Sequence, residues 1–440
     1  MFRSETQKTI DLLRQYESRN ITFVEPDGSW PIVWERASGV FVWDIEGRKY
    51  LDLTAGFGVA ATGHANPKVV KAGRNQMGQL LHAMGDVHPH ALKARLAREL
   101  SRITFERWSR NIPGNRGPKA SGKTIFCNSG FEAIEAALKT AKLATGKRGV
   151  IAFSGGYHGL GYGALNTTHR DHFRAPFRTQ LGRFGHFVEF PRTATDLDSV
   201  EGSIRRVFRR QSIGAILVEP FQGRGGINIP PPQFLPLLRR LCDDTRALFI
   251  LDEVFTGFGR TGRWFACEHT QTVPDVICLG KALTGGFPLS ACVGRSDVMD
   301  AAGPASSGEA IHTSTFLGHP VGCAMALSQI EELRRRRLVG RSASLGRRLL
   351  EALSRVKSTQ SLEFSARGIG LMAGLELTLR DGRPATCQTQ RIIKEMLRRR
   401  YILLPEGPFA NVISFTPPLT IDADQCDEAV EVLKTAFRRH

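Results

Sequence analysis

Ala247-Leu-Phe-Ile-Leu-Asp-Glu-Val-Phe-Thr-Gly-Phe-Gly-Arg-Thr-Gly262 is followed by Pro274-Asp-Val-Ile-Cys-Leu-Gly-Lys-Ala-Leu-Thr-Gly-Gly-Phe-Pro-Leu289. Each stretch contains a short apolar run that ends on polar groups. Leu248 to Leu251 delivers Asp252 and Glu253; Val276 to Leu279 delivers Gly280 and Lys281. Runs this short and this rich in Ile, Val, Leu and Phe suit strands buried on both faces of a parallel sheet. In such sheets ligands gather at the carboxyl ends of the strands. The expectation is one sheet edge carrying a carboxylate and, 29 residues later, a lysine.

The same alternation extends outward. Upstream, strand Thr124 to Cys127 leads to a helix from Glu132 to Thr145, and strand Gly149 to Phe153 leads to Gly155-Gly-Tyr-His-Gly159. Helix Asp198 to Arg210 precedes strand Ala215 to Val218, which ends on Glu219, and helix Pro232 to Thr245 precedes the opening strand. Strand–helix alternation of this kind predicts a mostly parallel, helix-covered sheet. Leu289 to Gly294 reads as an antiparallel return. Nearer the N-terminus, Ile32 to Leu53 alternates as a strand meander after a short amphipathic helix around Ile10 to Tyr16. Thr54 to Pro67 is a glycine-broken loop, Pro67 to Arg102 is helical in pattern, and Ile112 to Lys123 is a Gly/Pro/Ser loop.

A long helix from His319 to Arg337 links to a C-terminal unit. That unit has helix Arg341 to Val356, strands near Gly370 to Leu377, helix Thr389 to Arg400, strands Ile402 to Leu404 and Val412 to Phe415, and a last helix Ala423 to Arg438. The expected division is an N-terminal segment, 1–70, forming part of a small domain, a large domain over 71–330, and a small C-terminal domain over 331–440.

Composition excludes several classes. The chain has 440 residues, enough for a large core. The net charge is +18, but the excess arginines are scattered over helical patterns such as Arg205-Arg206, Arg209-Arg210 and Arg398 to Arg400. They read as solvated faces, and no aromatic-interleaved basic motif suggests nucleic-acid binding. Eight cysteines occur without a C-x-x-C pair, so neither a disulfide frame nor a metal site is expected. No apolar signal core or membrane span is read, which places the protein in the cytoplasm.

Three further patterns bear on chemistry. Asn128-Ser129-Gly130 lies between a strand and a helix, where free N–H groups bind phosphate; an ordinary turn capped by Ser129 is the competing reading. Tyr157-His158 puts two flat side chains at the next strand end, suited to stacking on a ring or to plain packing. Thr313 to Thr315, before the His319-Pro320 helix start, is a second hydroxyl-rich loop. A lysine and a carboxylate at strand ends, a phosphate turn and a stacking pair are what pyridoxal phosphate chemistry requires.

Taken in order, these pieces resemble the class III (ornithine/4-aminobutyrate-type) aminotransferases of pyridoxal phosphate fold type I. The resemblance spans about Ile32 to the C-terminus. Its motifs include Val42-Trp-Asp44 with Tyr50-Leu-Asp52, Gly63-His64, Asn128-Ser-Gly130, Tyr157-His-Gly159, Glu219-Pro220, Gln222-Gly223, Asp252-Glu-Val254, Thr256-Gly257, Gly259-Arg-Thr-Gly262, Gly280-Lys281, Ser314-Thr-Phe316 and Pro417-Pro-Leu419. It implies an α/β fold with a seven-stranded-type, mostly parallel sheet in the large domain and a smaller α+β domain. It also implies a homodimer with shared active sites. Lys281 would carry the cofactor as a Schiff base and move the proton. Asp252 would pair with the ring nitrogen. Tyr157 would stack on the ring with His158 beside it, Val254 would cover the other face, and Glu219 would order the Asp252 side. Ser129, Gly130 and the Phe131 N–H would cradle the phosphate, and Thr315 would reach the phosphate of the neighbouring subunit.

The departures concern substrate. Phe131 replaces a hydroxyl residue, and Phe255 stands where many members have glutamine. Arg224 stands where many have glutamate. Leu160 and Ser414 replace two carboxylate-binding arginines. Arginine suits carboxylates because its planar fork donates two parallel hydrogen bonds. Their loss argues against ornithine, acetylornithine or 4-aminobutyrate as main substrate. Phe57, Leu160 and Phe255 suggest an apolar pocket, and Arg224 is the candidate to take over a carboxylate. The expected activity is a ping-pong aminotransferase acting on an amine or amino-acid donor and a carbonyl acceptor. An isomerase of the same fold, aminomutase or epimerase, and a non-catalytic binding protein are the alternatives.

Overall fold

The computed structural model describes residues 4–111, 121–303 and 305–437. Most of the predicted Gly/Pro/Ser loop, 112–120, lies outside the described residues.

Among the described residues, three sheets organise the chain. The meander forms β1 (Trp34–Ser38), β2 (Phe41–Asp44) and β3 (Lys49–Asp52). The central sheet contains β4 (Gly122–Cys127), β5 (Gly149–Phe153), β6 (Gly185–Val188), β7 (Ile213–Val218), β8 (Leu248–Asp252), β9 (Val276–Leu279) and β10 (Ser290–Arg295). Its order is β4-β10-β9-β8-β7-β5-β6, and only β10 runs antiparallel to its neighbours. The C-terminal strands are β11 (Leu362–Gly368), β12 (Ala373–Leu379), β13 (Tyr401–Ile402), β14 (Leu404–Glu406) and β15 (Val412–Phe415). The expected seven-stranded, mostly parallel α/β architecture is what the chain adopts.

The two opening strands behave as their composition requires. Every residue of β7 and β9, and all but Leu248 of β8, is buried, because helices cover both faces. β8 and β9 pair in parallel with Asp252 opposite Cys278. That register brings the end of β8 beside the turn that presents Lys281. The same edge receives Cys127 of β4, Phe153 of β5 and Val218 of β7, so five strand ends open in one direction.

Several expectations change in detail. The helical stretch Pro67 to Arg102 is two helices, Pro67–Gln79 and Ala91–Ile103. His90 caps the second by accepting from the Lys93 N–H. The glycine-broken loop contains a one-turn helix, Ala55–Gly58. The single strand expected at Ile402 to Leu404 is two strands in different sheets: β13 pairs with β3, and β14 with β15. β6 and β11 are elements the sequence pattern does not reveal, since β6 is short and half-buried at a sheet edge. Seven of the eight cysteines are buried and all are free, as small apolar side chains.

A buried arginine ties the C-terminal unit to the loop that follows β8. Arg260 is fully buried and donates from Nη1 to the carbonyls of Leu371 and Pro417. Burial pushes its guanidinium down to about 9. Gly370 sits against this loop, and Gly346 of helix Leu338–Ser354 sits against Gly370. A Cβ on Gly346 would lie 2.0 Å from the Gly370 carbonyl oxygen. Backbone cannot yield as a side chain does, so Gly346→Ala should destabilise the protein by about 3 kcal/mol. The check is the thermal midpoint; an unchanged midpoint would show that the helix can slide away.

Candidate active site

The five strand ends surround a cavity of about 510 Å³. On its floor, His158 and Asp252 form a buried pair, Nδ1 to Oδ2 at 2.8 Å. Asp252 also accepts the Val254 N–H at 3.1 Å, so both carboxylate oxygens are fixed. His158 is held in turn by its N–H to Thr168 Oγ1. With Asp252 ionised, the imidazole donates from Nδ1.

Lys281 follows Gly280 and has φ +33, a left-handed conformation that is costly for a residue with a side chain. Its amine makes no hydrogen bond or ion pair among the described residues. It lies 4.6 Å from the centre of the Phe255 ring. Burial lowers its pKa, while Asp252, Glu219 and Glu406 act in the opposite direction. An unpartnered amine held low in pKa beside a fixed carboxylate is a nucleophile in waiting.

Glu219 closes the floor. Its two oxygens accept the N–H groups of Tyr157 (2.9 Å) and Gly223 (3.0 Å). Burial raises it to about 6, and the negative charge of Asp252 adds to the rise while His158 opposes it. Glu253, which points away from the cavity, accepts from Thr256 Oγ1 and from the N–H groups of Ala266 and Cys267. It anchors the loop after β8 rather than serving chemistry.

Ser129 caps helix Gly130–Thr145, accepting from the Glu132 N–H. Its own carbonyl receives Ser290 Oγ at 2.6 Å. The Gly130 and Phe131 N–H groups make no hydrogen bond among the described residues, and both residues line the cavity. Val254 packs against Gly130, where a Cβ would lie 3.0 Å from Val254 Cγ1.

The remaining wall is largely apolar. Phe57 and Leu160 are exposed at the mouth. Phe255 is wedged between Gly58 and Gly223, each of which would put a Cβ 2.7 Å from its ring. Ser414 lines the cavity with its hydroxyl turned onto the Leu404 carbonyl, 3.2 Å away. Arg224 is exposed, with its guanidinium 5.0 Å from the centre of the Tyr157 ring.

The cavity thus gathers Gly130, Phe131, Tyr157, His158, Glu219, Asp252, Val254 and Lys281 with Phe57, Leu160, Arg224, Phe255 and Ser414. It does not gather two of the expected residues. Ser129 lies behind the helix start, and Thr315 is exposed on a separate loop. Four lining residues are absent from the sequence reading: Thr54, Leu404, Glu406 and Thr416. Thr54 was detectable as the polar residue two places after Asp52, whose carboxylate it meets at 2.6 Å. The other three depend on the pairing of β14 with β15, which no local pattern announces.

A larger depression of about 630 Å³ lies elsewhere, between Lys139, Lys142, Lys147, Arg148, Phe184 and Ile311. No strand end with a catalytic group opens into it. Among the described residues no cluster of His, Cys, Asp or Glu is placed to hold a metal, and no helix is long and apolar enough to cross a membrane.

Comparison with known proteins agrees with this geometry. The profile of the family Aminotransferase class-III matches residues 23–437. The 5-aminovalerate aminotransferase of Pseudomonas aeruginosa is 36% identical over 419 residues, covering 92% of this chain and 93% of that protein. The acetylornithine aminotransferase of Methanosarcina mazei is 35% identical over 409 residues, covering 93% and 92%. The PLP-bound crystal structure of an amine transaminase from an uncultivated Pseudomonas species superposes with a TM-score of 0.84 at 29% identity, covering 97% of this chain and 98% of that one.

Proposed function

Because this chain belongs to the class-III aminotransferases, we propose that it moves an amino group between an amine or amino-acid donor and a carbonyl acceptor by a ping-pong mechanism, with main substrates other than ornithine, acetylornithine or 4-aminobutyrate. The protein is a pyridoxal-phosphate-dependent transaminase. The observation that carries the reading is the juxtaposition of unpartnered Lys281 with the fixed Asp252–His158 pair in one cavity.

The residues present fit the cofactor. Lys281 would hold it through its amine, Gly130 and Phe131 N–H groups would take its phosphate, and Asp252 would face its ring nitrogen. Tyr157 and Val254 would lie on its two faces. When bound, pyridoxal phosphate supplies an electron-withdrawing ring that weakens the substrate Cα–H bond. The chain's own residues do the rest. Asp252 keeps a negative charge at the ring-nitrogen position, and His158 prevents that carboxylate from turning. Lys281 Nζ would take the substrate Cα proton, a role for which its lowered pKa is suited. Glu219 holds the Tyr157 and Gly223 backbone against this floor.

The substrate reading rests on the wall. Phe57, Leu160, Phe255 and Leu404 form an apolar pocket, and the arginines expected of carboxylate-specific relatives are absent at 160 and 414. The named relatives act on substrates bearing a carboxylate. Arg224 lines the cavity and forms no ion pair among the described residues, and it is proposed to bind the acceptor's carboxylate and withdraw for a neutral chain. Arg224→Ala should raise KM for amino-acid and keto-acid substrates about 10- to 100-fold and leave simple amines within twofold. Equal rates with glutamate, alanine and amine donors would end that idea. The wider test is a donor panel against the cofactor-loaded enzyme, scored by loss of the cofactor's absorbance band without acceptor.

The working unit is proposed to be a homodimer. Thr315 is exposed and away from its own cavity, and Phe316, Ile311, Met84 and Leu81 are large apolar side chains left in contact with solvent. The domain division is part of the same proposal: 1–70 and 331–440 would form the small domain, in keeping with the β3–β13 pairing, and 71–330 the large one.

A further inference from the structure

The mouth of the cavity carries a carboxylate that the reaction as described does not use. Leu404 and Glu406 are two apart on β14, and residues so spaced share one strand face. Both line the cavity. β14 is fixed by β15, with Leu404 opposite Ser414 and Glu406 opposite Val412. Directly beyond it, the Gly407 N–H donates to the Arg224 carbonyl at 3.1 Å. Glu406 and Arg224 therefore reach the cavity from two backbones bonded to each other.

Their side chains are nevertheless apart. Among the described residues the Glu406 carboxylate has no hydrogen bond and no ion pair within 4 Å. Arg224 leans over the Tyr157 ring instead. Burial raises Glu406 to about 7, against the attraction of Arg224, Lys281 and Arg170, while Glu219 pushes it further up. A half-buried carboxylate without a partner is costly unless something supplies the missing hydrogen bonds. The groups nearest to hand are not doing so, and the open side is the cavity itself.

Leu404 and Phe255 line the same cavity as Glu406 and Lys281, and such apolar walls suit a methylene chain. An amine reacting at Lys281 would then present its far end to Glu406. We propose that Glu406 is a specificity-determining residue that binds the distal ammonium of an amino donor, so that the donor class is one carrying a second amine, such as an α,ω-diamine. Arg224 and Glu406 then divide the two half-reactions of one pocket. The carboxylate of an acceptor goes to Arg224, and the distal cation of a donor goes to Glu406. This rests on the aminotransferase reading above.

The test compares 1,5-diaminopentane with hexylamine, which replaces the distal ammonium by a methyl group. Each is mixed with the cofactor-loaded enzyme without acceptor, and loss of the cofactor band is followed. The wild type should convert the diamine at least about 10-fold more efficiently. Glu406→Gln should erase that preference by slowing the diamine and leaving hexylamine within about twofold. Calorimetry with pentyltrimethylammonium, which cannot react, should show about 10-fold weaker binding to the variant. Equal losses for both amines, equal binding of the quaternary cation, or no diamine preference in the wild type would overturn the assignment. An enzyme that reacts with amino acids but with neither amine also overturns it. An enzyme that reacts with no donor at all overturns the underlying function instead.

Discussion

Lys281→Ala should reduce the donor half-reaction by about 10⁴-fold or more, with the fold intact. The amine is the group that would both hold the cofactor and take the substrate proton, and among the described residues no other lysine lines the cavity. His158 cannot substitute, because its Nδ1 is engaged by Asp252 and its ring is buried. Glu219 cannot either, since both its oxygens are bound by backbone N–H groups. Rapid mixing with donor, read at the cofactor band, gives the rate; circular dichroism checks the fold. A variant within 100-fold of wild type would sink the assignment of Lys281.

The same substitution has a stability signature of opposite sign. Burial lowers the Lys281 pKa below its ordinary value of 10.5, so the unfolded chain binds the proton more tightly than the folded one. Where the unfolded state binds more protons, stability rises with pH. Charged Lys281 is thus a cost to the cofactor-free protein at low and neutral pH, and the cost fades as pH approaches 10.5. Cofactor-free Lys281→Ala should accordingly unfold at a higher temperature than wild type near neutral pH, with the gap closing towards alkaline pH. A gap that widens with pH would contradict this.

How much of this was legible in the sequence follows from where each group sits. Glu219, Asp252 and Lys281 lie within a few residues of the end of a buried apolar run, and Ser129 to Phe131 and Tyr157-His158 likewise follow strand ends. Run and polar terminus are contiguous, so pattern reading finds them together. Glu406 belongs to a three-residue strand whose facing is set by β15, in a sheet separate from the central one. The sequence from Ile402 to Leu404 reads as one strand, yet the chain changes sheets at Leu403. Non-local pairing decided that change, and with it the placing of Glu406 in the cavity wall. The break between the helices at Pro67–Gln79 and Ala91–Ile103 is a milder case. Gly85 and Pro89 mark it, but the apolar residues Leu80, Leu81 and Met84 continue a helical spacing and hide it.

Asp252→Asn should lower the rate of Cα proton removal roughly 10³-fold while leaving the cofactor bound. Asparagine has the same shape, so the acceptor for the Val254 N–H survives. What disappears is the negative charge. His158 then faces an amide, and its Nδ1 must accept a hydrogen bond if the amide nitrogen turns towards it. The phosphate turn at Gly130 and the amine of Lys281 are untouched, so the absorbance band should persist in the purified variant. With donor, the band should decay slowly, because the ring nitrogen has lost the charge that would keep it protonated. Glu219 supplies an independent readout. Repulsion from Asp252 helps raise it to about 6, so its pKa should fall towards the ordinary 4.5 in the variant. Any acid limb of the rate profile that belongs to Glu219 should move down with it. Asp252→Glu keeps the charge but displaces it, and should fall between wild type and Asp252→Asn. If Asp252→Asn stays within tenfold of wild type, the charge at the end of β8 is structural. The floor of this cavity would then work through Lys281 alone.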